Sequence, residues 1–104
     1  MRIAPVTNII EHAIEHDQLL EIVVESGKMV SLYPHRLLIL EGELSLIGEL
    51  CSSGRLVYHQ LAQIQYISEY QMGSFHPNYS ELEVEGMIHS IRQINGSEQR
   101  LVVR

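Results

Sequence analysis

The sequence is short of cations, of cysteine and of long apolar runs. It carries 7 Lys+Arg against 13 Asp+Glu, a formal net charge of −6. Binding to a phosphate backbone draws on clustered cations and counterion release, so this balance disfavours a direct nucleic-acid binder. It equally disfavours attraction to an anionic membrane. No uninterrupted apolar stretch approaches the roughly 20 residues that span a bilayer, and no membrane partner is expected. The start, Met1 to Val6, lacks the charged and apolar blocks of a signal peptide. The single cysteine, Cys51, has no mate for an internal disulfide, which points to a reducing, cytoplasmic compartment. Internal repeats and low-complexity tracts are also missing.

What is present is an ordinary globular composition, 45% hydrophobic and 19% charged over 104 residues. That length suits a single domain, 1–104, large enough to bury one real core without staples. Ile9, Ile10, Ala13 and Ile14 fall at helical spacing, so a helix is expected over about 8–17. Asn8 is its expected cap, with Glu11 completing a capping box; Thr7 is the alternative cap, and Pro5 sits just outside. The period then drops to two. Leu20, Ile22 and Val24 alternate with Glu21 and Glu25, and Ser26-Gly27 is a turn signal. Val30 and Leu32 belong to a second strand that Pro34 ends or marks as an edge. Leu37 to Leu40 reads as a separate buried strand, Glu41-Gly42-Glu43 as a tight turn, and Leu44 to Leu50 as the next strand. Leu56 to His59 and Ile64 to Tyr70 follow, split by a short connection at Leu61.

The segment from Gln71 to Pro77 is irregular. A second helix begins at Asn78 or Ser80, with Ser80 and Glu83 as a capping box and Val84, Met87, Ile88 and Ile91 as its apolar face. Met72, Phe75 and that face either close one open end of the barrel or meet a partner. Asn95-Gly96 reads as a turn and Leu101-Val102-Val103 as a final strand. A chain stopping inside a strand pattern suggests a fragment, or a strand that pairs with something else. The fold class is therefore α+β and mainly β: an N-terminal helix, a small antiparallel barrel of five strands, a C-terminal helix and a last strand.

Three constellations are weak carriers of chemistry. His12 and His16 lie four apart on the first helix, but the HExxH order and a third ligand are missing, so a solvated helix face is expected rather than a metal site. Cys51 lacks an activating histidine and a positive surrounding field, so it reads as a passive thiol. Glu41, Glu43 and Glu49 lie by turns and on the expected outer face, where solvation is the simpler account. No enzyme and no cofactor are expected.

One ordered set of features resembles the WYL domain of bacterial transcriptional regulators. Ala13-Ile14 ends a helix that leads into Leu20-Glu21-Ile22-Val23-Val24. Ser26-Gly27-Lys28 and Tyr33-Pro34-His35-Arg36-Leu37 follow, the latter similar to the family's proline-centred turn. Leu40-Glu41-Gly42-Glu43-Leu44-Ser45-Leu46-Ile47-Gly48 sits where the name-giving hairpin belongs, and Val57 to Ile64 resembles the Phe-Arg-Leu-Asp-Arg-Ile segment. The likeness covers about 14–70, with 71–104 as an extension. Leu44 and Ser45 stand for the Trp and Tyr, and only Leu46 keeps the triplet. Gln60 and Gln63 stand for the two arginines, and Ala62 for the aspartate. The resemblance implies an Sm-like (SH3-like) barrel of five strands that senses a ligand, in several cases a nucleotide or single-stranded nucleic acid, and signals to a helix-turn-helix. No helix-turn-helix pattern is readable in these residues. Tyr33, His35, Arg36, His59 and Gln63 are the candidate ligand patch, with Arg36 supplying the planar fork that suits phosphate or carboxylate. The bland alternative pairs Arg36 with a surface glutamate. A second functional reading is a small-barrel interaction module that self-associates through edge strands.

Overall fold

A computed structural model describes residues 3–71, 73 and 75–103, with side chains for 5–71, 73 and 75–94. The elements are α1 (Ile3–Glu15), β1 (Leu19–Val24), β2 (Met29–Leu40), β3 (Glu43–Leu50), β4 (Leu56–Gln60), a one-turn 3-10 helix (Leu61–Gln63), β5 (Ile64–Tyr70) and α2 (Glu81–Val103). The five strands form one antiparallel sheet in the order β4-β3-β2-β1-β5. The two strands at the ends of that order, β4 and β5, are joined by the 3-10 turn. Among the described residues β4 and β5 share no ladder, so the hydrogen-bonded sheet is not closed between them.

α1 starts earlier than its sequence signals suggest. Pro5 lies in its first turn, where a missing N–H is harmless, and Asn8 is an interior residue rather than the cap. The C-terminus closes with Asp17 at φ 53° and the Gln18 N–H on the Ala13 carbonyl at 2.9 Å, a Schellman arrangement. Val6, Ile10 and Ala13 are buried in the core on one face of the sheet.

The two strands expected on either side of Pro34 are one. β2 runs for 12 residues and pairs with both β1 and β3. Pro34 does not end it, because a register shift between Pro34 and Arg36 places a bulge there, and a proline is tolerated where the ladder is interrupted. Opposite Pro34 stands Gly48. A Cβ there would lie 2.8 Å from Leu32 Cδ1 and 2.8 Å from the Tyr33 carbonyl oxygen, so the close approach requires glycine. The β2–β3 hairpin closes on Glu41 (φ 54°) and Gly42 (φ 79°), the two positive dihedrals of a type I′ turn.

Each face of the sheet carries a core. Leu20, Ile22, Leu32, Leu46, Leu61, Ile64 and Ile67 fill the inside with the α1 residues. On the outside of β2, β3 and β4, Leu40 and Ile47 pack with Val84 and Ile88 of α2, and Leu38, Leu56, Tyr58, Tyr79, Met87 and Ile91 surround them. So α1 reaches the inner core, and α2 lies on an outer face rather than across an open end. The Ser80–Glu83 capping box forms as expected: the Ser80 N–H donates to Glu83 Oε1 at 3.0 Å and the Glu83 N–H to Ser80 Oγ at 3.2 Å. The expected turn at Asn95-Gly96 and strand at 101–103 are instead the last turns of α2. A glycine inside a helix costs about 1 kcal/mol, a penalty and not a stop, whereas a three-residue strand needs a neighbour for its backbone groups. Met72 lies outside the described residues.

Candidate functional site

The bulge in β2 decides where the candidate residues go. Tyr33, His35 and Arg36 are brought together there, beside the C-terminal half of α1. A groove of about 510 Å³ lies between the two elements, lined by Glu11, Ile14 and Glu15 of α1 and by His35, Arg36 and Leu37 of β2. Ile14 and Leu37 supply its apolar floor. Its charge is mixed but mainly negative.

Each of the three residues already has a partner in the chain. The Tyr33 hydroxyl donates to Asp17 Oδ1 at 3.0 Å, and its ring stacks with Phe75 at 5.8 Å and meets His35 edge-on at 5.0 Å. Burial and the bond to Asp17 together push the Tyr33 hydroxyl up to about 12. His35 Nε2 lies 3.0 Å from Glu49 Oε1. Arg36 Nη2 donates to Glu81 Oε2 at 3.1 Å and also pairs with Glu85. The hydrogen bonds to Glu81 and Glu85 raise the pKa of the guanidinium further. The bland alternative for Arg36 is thus what the geometry shows, with α2 as the source of the glutamates.

His59 and Gln63 do not join this group. Arg36 stands in register with Ile47 and Tyr58, whereas His59 is paired with Leu46. Directly paired residues share a face, so His59 points to the inner core and Arg36 to the outer one. His59 Nε2 is buried with no hydrogen-bond partner among the described residues. Burial, and secondarily Lys28, lowers its pKa and keeps the ring neutral. Gln63 is exposed on the 3-10 turn.

Glu49 is the correction with most consequence. Expected on the solvated outside, it is fully buried. The β3 outer face is covered here by the strap that leads into α2. Its carboxylate accepts the Asn78 N–H at 2.9 Å, the Tyr79 N–H at 2.9 Å and the Asn78 side-chain amide at 3.3 Å, besides facing His35. Burial alone would raise this carboxyl; the bonds from Asn78, His35 and Tyr79 outweigh it, and the pKa falls below the usual carboxylate range. Period-two alternation puts Glu49 on the outer face but says nothing about what covers that face. Its spacing to Asn78, 29 residues on, carries no local signal.

The remaining groups singled out in the sequence lie apart from this cluster or at its margin. His12 Nδ1 pairs with Glu69 Oε2 at 2.7 Å and its ring stacks on His16 at 4.1 Å. Among the described residues no three His, Cys, Asp or Glu side chains gather to hold a metal. Cys51 is half-buried, and burial with the Glu49 charge pushes its thiol up, away from the thiolate. Among the described residues no helix is long and apolar enough to cross a membrane. Compared with known proteins, the chain matches no family model, and no curated protein matches it significantly.

Proposed function

We propose that the chain is a non-enzymatic, WYL-like sensing domain of a bacterial transcriptional regulator, working in the cytoplasm. The observation that supports this reading is the proline bulge of β2. It sets His35 and Arg36 in the lining of a groove beside α1, with the Tyr33 ring 5.0 Å from that of His35, on a small five-stranded sheet. In this reading the ligand carries a phosphate or carboxylate for Arg36 and an apolar part for Ile14 and Leu37. A nucleotide or a short single strand has that chemistry, and one arginine makes the binding weak and salt-dependent. DNA contact belongs to a separate helix-turn-helix, and ligand binding shifts the population of the state that this module adopts.

The test is an electrophoretic shift with short single-stranded DNA and RNA at low salt. Wild-type chain binds weakly, and Arg36→Ala binds at least about fivefold more weakly with a salt slope reduced by about one. Equal binding by wild type and R36A removes Arg36 from the site.

One observation favours the second reading, a protein interaction module. On the outer face of β1, Val23 stands in register with Met29 on one side and Tyr66 on the other. Met29 is 60% and Tyr66 51% exposed, so an apolar row crosses three strands unshielded. Beside it β5 is an end strand of the sheet, with no strand paired on its other side among the described residues, an edge that suits a homo-oligomer. Light scattering over a range of concentrations decides: a constant monomer mass removes self-association.

A further inference from the structure

Arg36 is held by two carboxylates of one helix, and these are not what holds that helix in place. Glu81 and Glu85 lie four residues apart on α2 and so present both carboxylates from one side to the guanidinium. All three side chains are open to water: Arg36 is 34% exposed, Glu81 77% and Glu85 52%. Ion pairs this exposed are weak, contributing roughly 1.5- to 5-fold each to an equilibrium.

The docking of α2 rests on other contacts. The buried Glu49 carboxylate grips the Asn78 and Tyr79 N–H groups just ahead of the helix. Val84 and Ile88 are buried against Leu40 and Ile47. Further along, Arg92 Nη2 donates to the Ile39 carbonyl at 3.3 Å. The start of the helix is closed by its own capping box. Glu81 also sits in the first turn, where a negative charge is favoured by the helix dipole with or without Arg36. Both carboxylates can therefore leave Arg36 while the helix stays formed and docked.

Resting on the sensing role proposed above, we infer that Glu81 and Glu85 are an internal competitor for the anionic ligand of Arg36. They occupy the guanidinium as a phosphate or carboxylate of the ligand would. A ligand that takes Arg36 strips both carboxylates from it and leaves the Glu81 and Glu85 charges free on the exposed face of a helix that stays docked. That change of surface charge on α2 is the signal. By linkage, the factor by which the ligand weakens the Arg36 contacts is the factor by which those contacts weaken the ligand. Resting affinity is accordingly kept low, and the response is tuned by the charge at 81 and 85.

The experiment measures binding of fluorescein-labelled octathymidylate and, separately, of thymidine monophosphate at low salt. Four proteins are compared: wild type, E81Q/E85Q, E81Q/E85Q with R36A, and E25Q/E43Q. The last makes the same change in net charge at exposed positions away from Arg36. Circular dichroism confirms that each is folded. E81Q/E85Q binds about three- to tenfold tighter than wild type, adding R36A abolishes the gain, and E25Q/E43Q stays within twofold of wild type. Tightening with the oligonucleotide alone assigns the ligand to a strand, and with both probes to a single phosphate group. Equal affinities for wild type and E81Q/E85Q overturn the competition while leaving the sensing role standing. Equal tightening in E25Q/E43Q overturns it too, because the bulk field then suffices. Absence of binding by all four overturns both the competition and the sensing role.

Discussion

At the scale of single residues, the buried Glu49 and the half-buried His59 each tie stability to pH. Glu49 has a depressed pKa in the folded chain. Its contribution is complete above the unfolded carboxyl value of about 4.3 and is lost as pH falls through the folded value. Replacing it by glutamine removes the charge and turns an amide NH₂ toward the Asn78 donors. E49Q is expected to cost about 3 kcal/mol at neutral pH, read from urea denaturation, and to flatten the acid limb below about pH 4.3. His59 acts higher on the scale. Its folded pKa is lowered, so the unfolded chain takes up the proton first, and stability falls as pH drops through the unfolded value of about 6.5. His59→Leu removes both this slope and the unpartnered Nε2. The variant is expected to be at least as stable as wild type at pH 5.5, with no loss between pH 7 and 5.5; an unchanged slope would assign it to another group. Neither residue could be read this way from its neighbours in sequence. Alternation gives a face to each side chain, and burial depends on which element lands on that face.

At the scale of elements, the legible features are those that depend on short spacings. The capping box of α2, the apolar stripe of α1 and the alternation in β1 all involve residues within a few positions of each other, and all are present in the structure. Pro34 is where local reading stops working. A proline removes a ladder donor, so ending the strand is the simplest inference; the bulge that accommodates it requires a partner strand with a glycine at the facing position. Gly48→Ala tests this dependence. A methyl at 2.8 Å from both the Leu32 side chain and the Tyr33 carbonyl forces β2 and β3 apart, with an expected loss of about 1–3 kcal/mol by denaturation. Because the bulge also positions His35 and Arg36, G48A should broaden the amide signals of Tyr33 to Leu37 first. The end of α2 is the converse case. Asn95-Gly96 looks like a stop over four residues, yet the backbone continues helical to Val103.

At the scale of the whole molecule, the sheet carries a core on each face, and the candidate patch is divided accordingly. His35 and Arg36 line the groove by α1 with Tyr33 beside His35, His59 faces the inner core, and Gln63 is out on the 3-10 turn. The sequence by itself determined the class of the fold, because hydrophobic period, turn residues and caps act over distances shorter than one element. It also determined the acidic balance that makes any anion site here a weak one. Only the tertiary structure decided that Glu49 is buried, that Arg36 is occupied by Glu81 and Glu85, and that His59 looks away from both. The first two of those outcomes depend on α2 and the strap before it lying across the outer face of β2 and β3, the third on the β3–β4 register. The placement of α2 and its strap joins residues 29 to 53 positions apart, and no local pattern of side chains encodes a contact at such a separation.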